Sequence, residues 1–197
     1  MLNDRTTPLS LLETRRSGRP RDMVAPGPSA EELQRILSVA ARTPDHGKLH
    51  PWRFVHVPRE RRADLAALLH RAFRERDPQP TRGDIEAVER LAHQAPELVV
   101  ALFSPKPSQK IPLWEQQLSC GAAIMNLEHA AHAIGYTAGW ITGWAAYSPI
   151  VRDAFGRDPE QVAGFLYIGT PGMALEERVR PELANVIGTW MGEAAAD

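Results

Sequence analysis

Residues 118–134 read Leu118-Ser119-Cys120-Gly121-Ala122-Ala123-Ile124-Met125-Asn126-Leu127-Glu128-His129-Ala130-Ala131-His132-Ala133-Ile134, apolar or small on nearly every side of a helical wheel. Asn126, Glu128, His129 and His132 are the exceptions. Pro112 suits the opening of this helix and Gly135 its C-terminal cap. A helix that is apolar all round has to be covered all round. In a chain of 197 residues, a second subunit is the expected cover.

Working outward toward the C-terminus, residues 138–142 read as a short strand, Ser148-Pro149 starts a small helix ending near Gly156, and residues 163–168 read as a further strand. Residues 183–190 carry another candidate strand. Toward the N-terminus, residues 97–103 form a buried strand centred on Leu98-Val99-Val100-Ala101-Leu102. Residues 61–76 read as an amphipathic helix and 84–94 as another helix, separated by the loop 77–83, and residues 52–57 as a strand. Ser29 with Glu32 forms a capping box, and Leu33, Ile36, Leu37, Ala40 and Ala41 follow helical spacing. Residues 21–28, rich in Pro and Gly, read as a loop. Thr7 and Pro8 cap a first short helix that Gly18 and Pro20 end. Helices outnumber strands, the strands are well separated, and tight hairpins are few. That order favours an α+β fold over a strict βαβ repeat.

Composition excludes several classes. The chain is 43% hydrophobic and 24% charged with a formal net charge of −1, without the basic excess of a general nucleic-acid or membrane-surface binder. One cysteine, Cys120, rules out an intramolecular disulfide framework or a cysteine-rich zinc site. No apolar run reaches the roughly 18 residues of a bilayer span. With no export signal visible, a single cytoplasmic domain over residues 1–197 is expected, with residues 1–7 as a flexible start. No Gly-x-Gly-x-x-Gly or Gly-x-x-x-x-Gly-Lys-Ser/Thr motif occurs, so neither a Rossmann site nor a P-loop is supported.

Two clusters carry chemistry. Arg15-Arg16-Ser17-Gly18-Arg19 places three guanidinium groups and a hydroxyl in five residues. Guanidinium matches phosphate through its planar fork and permanent charge. The plain alternative is a solvated basic helix end favoured by the helix dipole. Thr43-Pro44-Asp45-His46-Gly47-Lys48-Leu49-His50-Pro51-Trp52 is a stiff polar loop whose two imidazoles either edge a ligand ring or cap nearby backbone. Together the clusters suggest a nucleotide-like cofactor, one gripping its phosphate and the other edging its ring. His129 and His132 stand one helical turn apart, a spacing that metal binding tolerates, but Glu128 points off their shared face and no metal is expected. Trp140 and Trp144 either line a pocket or pack the core.

Arg15-Arg16-Ser17, Pro44-Asp45-His46, Pro51-Trp52, Trp114-Glu115, Gly139-Trp140, Ser148-Pro149 and Phe165-Leu166-Tyr167-Ile168-Gly169-Thr170-Pro171, in that order, resemble the FMN-dependent nitroreductase family. The likeness is nearest to its compact NAD(P)H nitroreductase branch and covers residues 9–171. It implies a sandwich with a central, mostly antiparallel sheet flanked by helices, and an intertwined homodimer with two FMN sites at the subunit interface. It implies further that Arg15, Arg16 and Ser17 hold the phosphate and ribityl chain, and that Arg19 lies near the N1/O2 side of the flavin. His46 and His50 would approach from the partner, while Trp140, Ile141 and Thr142, with Gly143 next to them, run along the ring. The chemistry implied is ping-pong hydride transfer from NAD(P)H through flavin N5 to a nitroaromatic, quinone or similar small acceptor. Many relatives carry an amide in place of His50, and some a charge in place of Ile141. The tail after Pro171 matches poorly, leaving open whether Arg178 or Arg180 reaches the phosphate. The loop 77–83 is too short for the lid of the dehalogenating and flavin-degrading branches. The alternative is a flavin-binding redox sensor or interaction module without turnover.

Overall fold

The computed structural model describes residues 1–192. Helix α1, Pro8–Thr14, starts where the Thr7 hydroxyl accepts a bond from the Ser10 amide. It is followed by β1, Met23–Val24, and α2, Ala30–Ala40. At the head of α2 the Ser29–Glu32 capping box is complete in both directions. Then come β2, Trp52–His56; α3, Arg62–Arg76; α4, Arg82–His93; β3, Glu97–Phe103; and α5, Leu113–Ala133. The chain continues through β4, Thr137–Ile141; α6, Pro149–Phe155; and β5, Gln161–Pro171.

All strand pairs are antiparallel, with β3 between β2 and β5, and both β1 and β4 on β5. The apolar run of β3 is legible because its sheet is covered on both faces, so neither set of alternate side chains reaches water. Leu98, Val100 and Leu102 join Phe165 and Tyr167 against α3, α4 and α6. Val99, Ala101 and Phe103 join Leu166 and Ile168 against α2 and α5. The result is the α+β sandwich expected from the element order.

Two segments differ from expectation. The loop 21–28 contains β1, whose two residues pair Met23 with Pro171 and Val24 with Thr170; a two-residue strand is too short to show periodicity. The candidate strand 183–190 is no strand: it holds a short turn at Leu183–Asn185 and is exposed throughout. Strand geometry needs a sheet edge to pair with, and no pairing includes this segment. Helix α5 is covered on one side by α2 and the sheet. On the other, Trp114 and Leu118 are 66% and 55% exposed, with Ala122 exposed beyond them.

Candidate functional site

Strand β4 organises the site because one of its edges receives the arginine segment. The Gly18 amide donates to the Ala138 carbonyl at 3.0 Å. The approach is close enough that a Cβ on Gly139 would stand 2.5 Å from the Gly18 carbonyl oxygen. Arg15–Arg19 is thereby fixed beside the start of β4, while Trp140, Ile141, Thr142 and Gly143 follow at its far end. From Ala138 to Thr142 is about 13 Å of extended chain. Trp140 is anchored by a 3.0 Å bond from its indole nitrogen to the Ala163 carbonyl. Its ring lies where a Cβ on Gly164 would collide with it. Ile141 is half-buried, and Thr142 and Gly143 are exposed. Gly143 takes φ 121°, a conformation that favours glycine, at the turn out of β4.

The three arginines are differently engaged. Arg15 turns inward: its guanidinium donates to the Ser17 hydroxyl at 2.7 Å and lies 3.7 Å from the Glu128 carboxylate. Glu128, buried in α5, also accepts from the Ser17 hydroxyl at 3.3 Å and from the Trp140 backbone. Burial pushes the Glu128 carboxyl above the usual carboxylate range, against the opposing pull of Arg15 and these bonds. Arg16 donates from Nε to the Glu176 carbonyl at 2.7 Å and from a terminal nitrogen to the Ser17 carbonyl at 3.1 Å. Arg19 is exposed, 3.5 Å from the Glu176 carboxylate. Arg16, Ser17, Arg19, Thr137 and Glu176 line one small cavity of about 60 Å³. The Thr137 hydroxyl, buried there, has no hydrogen-bond partner, and neither has Nε of Arg15. Unpaired donors of this kind are costly. A phosphate dianion, which offers acceptor oxygens only, suits the Thr137 hydroxyl and the Arg16 and Arg19 guanidiniums that line the cavity, so the residues present fit the phosphate of a flavin mononucleotide.

His46 and His50 stand elsewhere. Nδ1 of His46 is 2.8 Å from the Glu115 carboxylate in the first turn of α5. His50, with φ 50°, is held by its amide on the Asp45 carboxylate at 2.9 Å and packs edge-on against Trp52. Glu115 and Glu128 are thirteen residues apart on α5, about 20 Å along its axis. The two clusters therefore belong to opposite ends of the same helix within one chain. His132 accepts the Ala138 amide at 3.1 Å, and burial holds its imidazole down to about 4. That bond occupies Nε2, while Nδ1 is buried without a hydrogen-bond partner. Cys120 is buried, its thiol pushed up to about 12 by desolvation.

Thr137 and Glu176 are not marked by the sequence, and Glu128 is singled out there only as a discounted metal ligand, not as the partner of Arg15 and Ser17. A lone carboxylate in an otherwise apolar helix was the available signal for Glu128, because such a group needs a buried cation. Nothing local marks Thr137. The tail contact is also invisible in sequence, although the Arg180 guanidinium donates to the Arg15 carbonyl at 3.2 Å.

The family model described as "Nitroreductase family" matches residues 12–170. The chain belongs to the nitroreductase family, which is a family of oxidoreductases. A Haemophilus influenzae protein named "Putative NAD(P)H nitroreductase" is 40% identical over 172 residues, 86% of this chain and 91% of that protein. The Escherichia coli K12 protein named "Putative NAD(P)H nitroreductase YdjA" is 35% identical over 167 residues, 83% and 87% of the two chains. Among solved structures, the nitroreductase-like family protein from Bacillus cereus superposes with a TM-score of 0.78 at 21% identity, covering 98% of this chain and 100% of that one. A Desulfovibrio desulfuricans protein described as "a putative nitroreductase in complex with fmn" superposes with a TM-score of 0.70 at 19% identity over 96% of this chain and 100% of that one. These superpositions establish the nitroreductase fold. No helix of the described residues is long and apolar enough to cross a membrane.

Proposed function

We propose that this nitroreductase-family protein is an FMN-dependent NAD(P)H oxidoreductase whose cofactor lies along the β4 edge. One observation carries the reading: the Gly18–Ala138 bond joins phosphate-type donors and the Trp140–Gly143 wall into one continuous strip. A flavin mononucleotide has the matching order, an anion at one end and a flat ring at the other. When bound, it supplies the redox chemistry, accepting hydride from NAD(P)H at N5 and passing it to a nitroaromatic, quinone or similar acceptor by a ping-pong cycle.

The chain's own task is to bind and orient. Arg16, released from the Glu176 carbonyl, presents a charged fork to the phosphate, with the Ser17 and Thr137 hydroxyls beside it. Arg15 holds Ser17 in place and is itself held by Glu128. Arg19, exposed and paired only with the exposed Glu176 carboxylate, supplies positive charge toward the pyrimidine edge of the ring. Backbone amides around Thr142 and Gly143 are placed to bond the ring's central nitrogen. His46 stands at the Glu115 end of α5, remote from the arginine cluster at Glu128, and a homodimer would bring these imidazoles to the ring from the partner. The exposed Trp114–Leu118 face of α5 is the surface that such a dimer buries.

Steady-state kinetics test the reading. Initial rates against NAD(P)H at several quinone concentrations are expected to give parallel double-reciprocal lines. Bound flavin with no NAD(P)H oxidation would instead make the protein a redox sensor without turnover.

A further inference from the structure

We propose that the hollow of about 290 Å³ where the start of α3 meets the end of α4 binds a small phosphate-type dianion, held by Arg59, Arg62 and His93. Met23, Ala95 and Pro96 make up most of the remaining wall, and no carboxylate lines it. Its volume, at the lower edge of the range for small-molecule sites, suits a phosphate alone or with a short substituent. Met23 is the one residue shared with the cavity that contains Arg16, so this site is separate from the one assigned to the flavin phosphate.

Arg62 is the centre of the site. It is the first residue of α3 and 3% exposed, a full positive charge taken almost wholly out of water. Its guanidinium donates to the Val57, Ala92 and Pro96 carbonyls at 3.0, 3.0 and 3.5 Å. Those bonds use three of its five N–H groups and bring no counter-charge. The Ala92 carbonyl lies in the last turn of α4, whose terminal partial charge offsets about half of one elementary charge. Burying a charge is costly unless a partner of opposite sign is buried with it. Arg15 has such a partner in Glu128; Arg62 has none in its hollow. Burial accordingly lowers the Arg62 pKa from its ordinary value, with Tyr167 and Glu97 opposing and Arg59 adding repulsion. The surroundings deepen the imbalance. Arg59, exposed on the turn that leads into α3, lines the same hollow. The acids around it are engaged elsewhere: Glu97 with His56 at 2.7 Å, and Asp64 with Arg61 at 3.0 Å. Glu89 lies 3.4 Å from His93 but also takes His70 at 2.6 Å. Two guanidiniums and an imidazole therefore converge on one concave site. A dianion supplies the missing charge and acceptors for the free N–H groups of the arginine forks.

The test is calorimetric titration of inorganic phosphate, and separately of glycerol 3-phosphate, into protein saturated with FMN, so that the Arg16 cavity is already filled. One phosphate per chain is expected to bind. Replacing Arg62 risks the fold, so the exposed Arg59 and His93 carry the variants. Arg59→Ala is expected to weaken phosphate roughly tenfold, the loss of one charge-assisted bond, and His93→Ala to weaken it as well. Arg59→Glu, which sets a carboxylate of its own beside Arg62, is expected to abolish binding with the melting temperature unchanged or raised. Tighter binding of glycerol 3-phosphate supports a phosphate monoester as the occupant, and tighter binding of phosphate supports the free ion. No heat with either compound at millimolar concentration overturns the proposal and leaves the flavin function standing. So does an affinity that is the same in wild type, Arg59→Ala and Arg59→Glu, which would mean an adventitious ion only. Protein that takes up no FMN overturns the flavin reading alone. Phosphate is then titrated into Arg16→Ala protein, where binding that survives adding Arg59→Glu overturns this proposal and binding that is lost supports it.

Discussion

Arg16 is the side chain on which the proposed function turns, because it is the one guanidinium of its cluster that meets the small cavity and has no carboxylate partner of its own. Its bonds in the structure go to two carbonyls, which a dianion displaces readily. Arg16→Ala is expected to weaken FMN binding ten- to a hundredfold, the equivalent of ~1.5–3 kcal/mol for a charge-assisted bond. Flavin fluorescence titration of the apoprotein checks this, with the melting temperature unchanged. Glu160 belongs to stability. It is buried, bonded by Arg53 at 3.0 and 2.9 Å, and that pairing holds its carboxyl down to about 2. A depressed carboxyl contributes stability above its unfolded value of 4.5 and loses it as pH falls toward 2. His132, lowered to about 4 from 6.5 by burial and the nearby Arg15, acts in the same direction between those values. Stability is therefore expected to fall progressively from pH 6.5 downward in urea titrations. Glu160→Gln should cost about 2 kcal/mol at pH 7, a figure reduced because Arg53 is half-exposed, and should flatten the part of the decline below pH 4.5.

At the scale of elements, α2 and β3 are legible because each obeys a local rule. Ser29 with Glu32 caps α2, and β3 is a continuous apolar run; the Thr81–Asp84 capping box that starts α4 goes unread. The start of α4 was read two residues late, at Asp84 rather than Arg82, because Asp84 is the capping box's third position rather than its first helical residue. β1 and the tail were not legible. A two-residue strand exists only through β5, and residues 173–180 take their conformation from the arginine segment they touch. For the site, the residue types of the arginine cluster were visible, but its docking on β4 depends on two glycines meeting across space. Gly139→Ala tests that docking. The added methyl meets the Gly18 carbonyl, so the segment must lift off β4, at an expected cost of about 1–3 kcal/mol. Calorimetry should show the loss of stability, and the purified protein should retain less flavin than wild type.

At the scale of the molecule, one chain leaves its work unfinished. Trp114 and Leu118 on α5 and Leu9 and Leu12 on α1 are exposed, and His46 on Glu115 and Arg15 on Glu128 mark points about 20 Å apart along α5. The twofold dimer proposed above would bury the α5 face, which is apolar on nearly every side, and would bring the imidazoles to the ring. Leu118→Glu places a charge in that face, and sedimentation is expected to show monomers in place of dimers. The monomer should also lose flavin, because His46 and His50 no longer reach the ring. A monomeric variant with full flavin affinity would mean that each site is complete within one chain. The visible spectrum of the purified wild-type protein, taken without oxygen before and after NAD(P)H, is the most direct test of the whole account. A flavin band that bleaches on addition and returns with a quinone is the expected result; a colourless protein that takes up no FMN when it is supplied would contradict it.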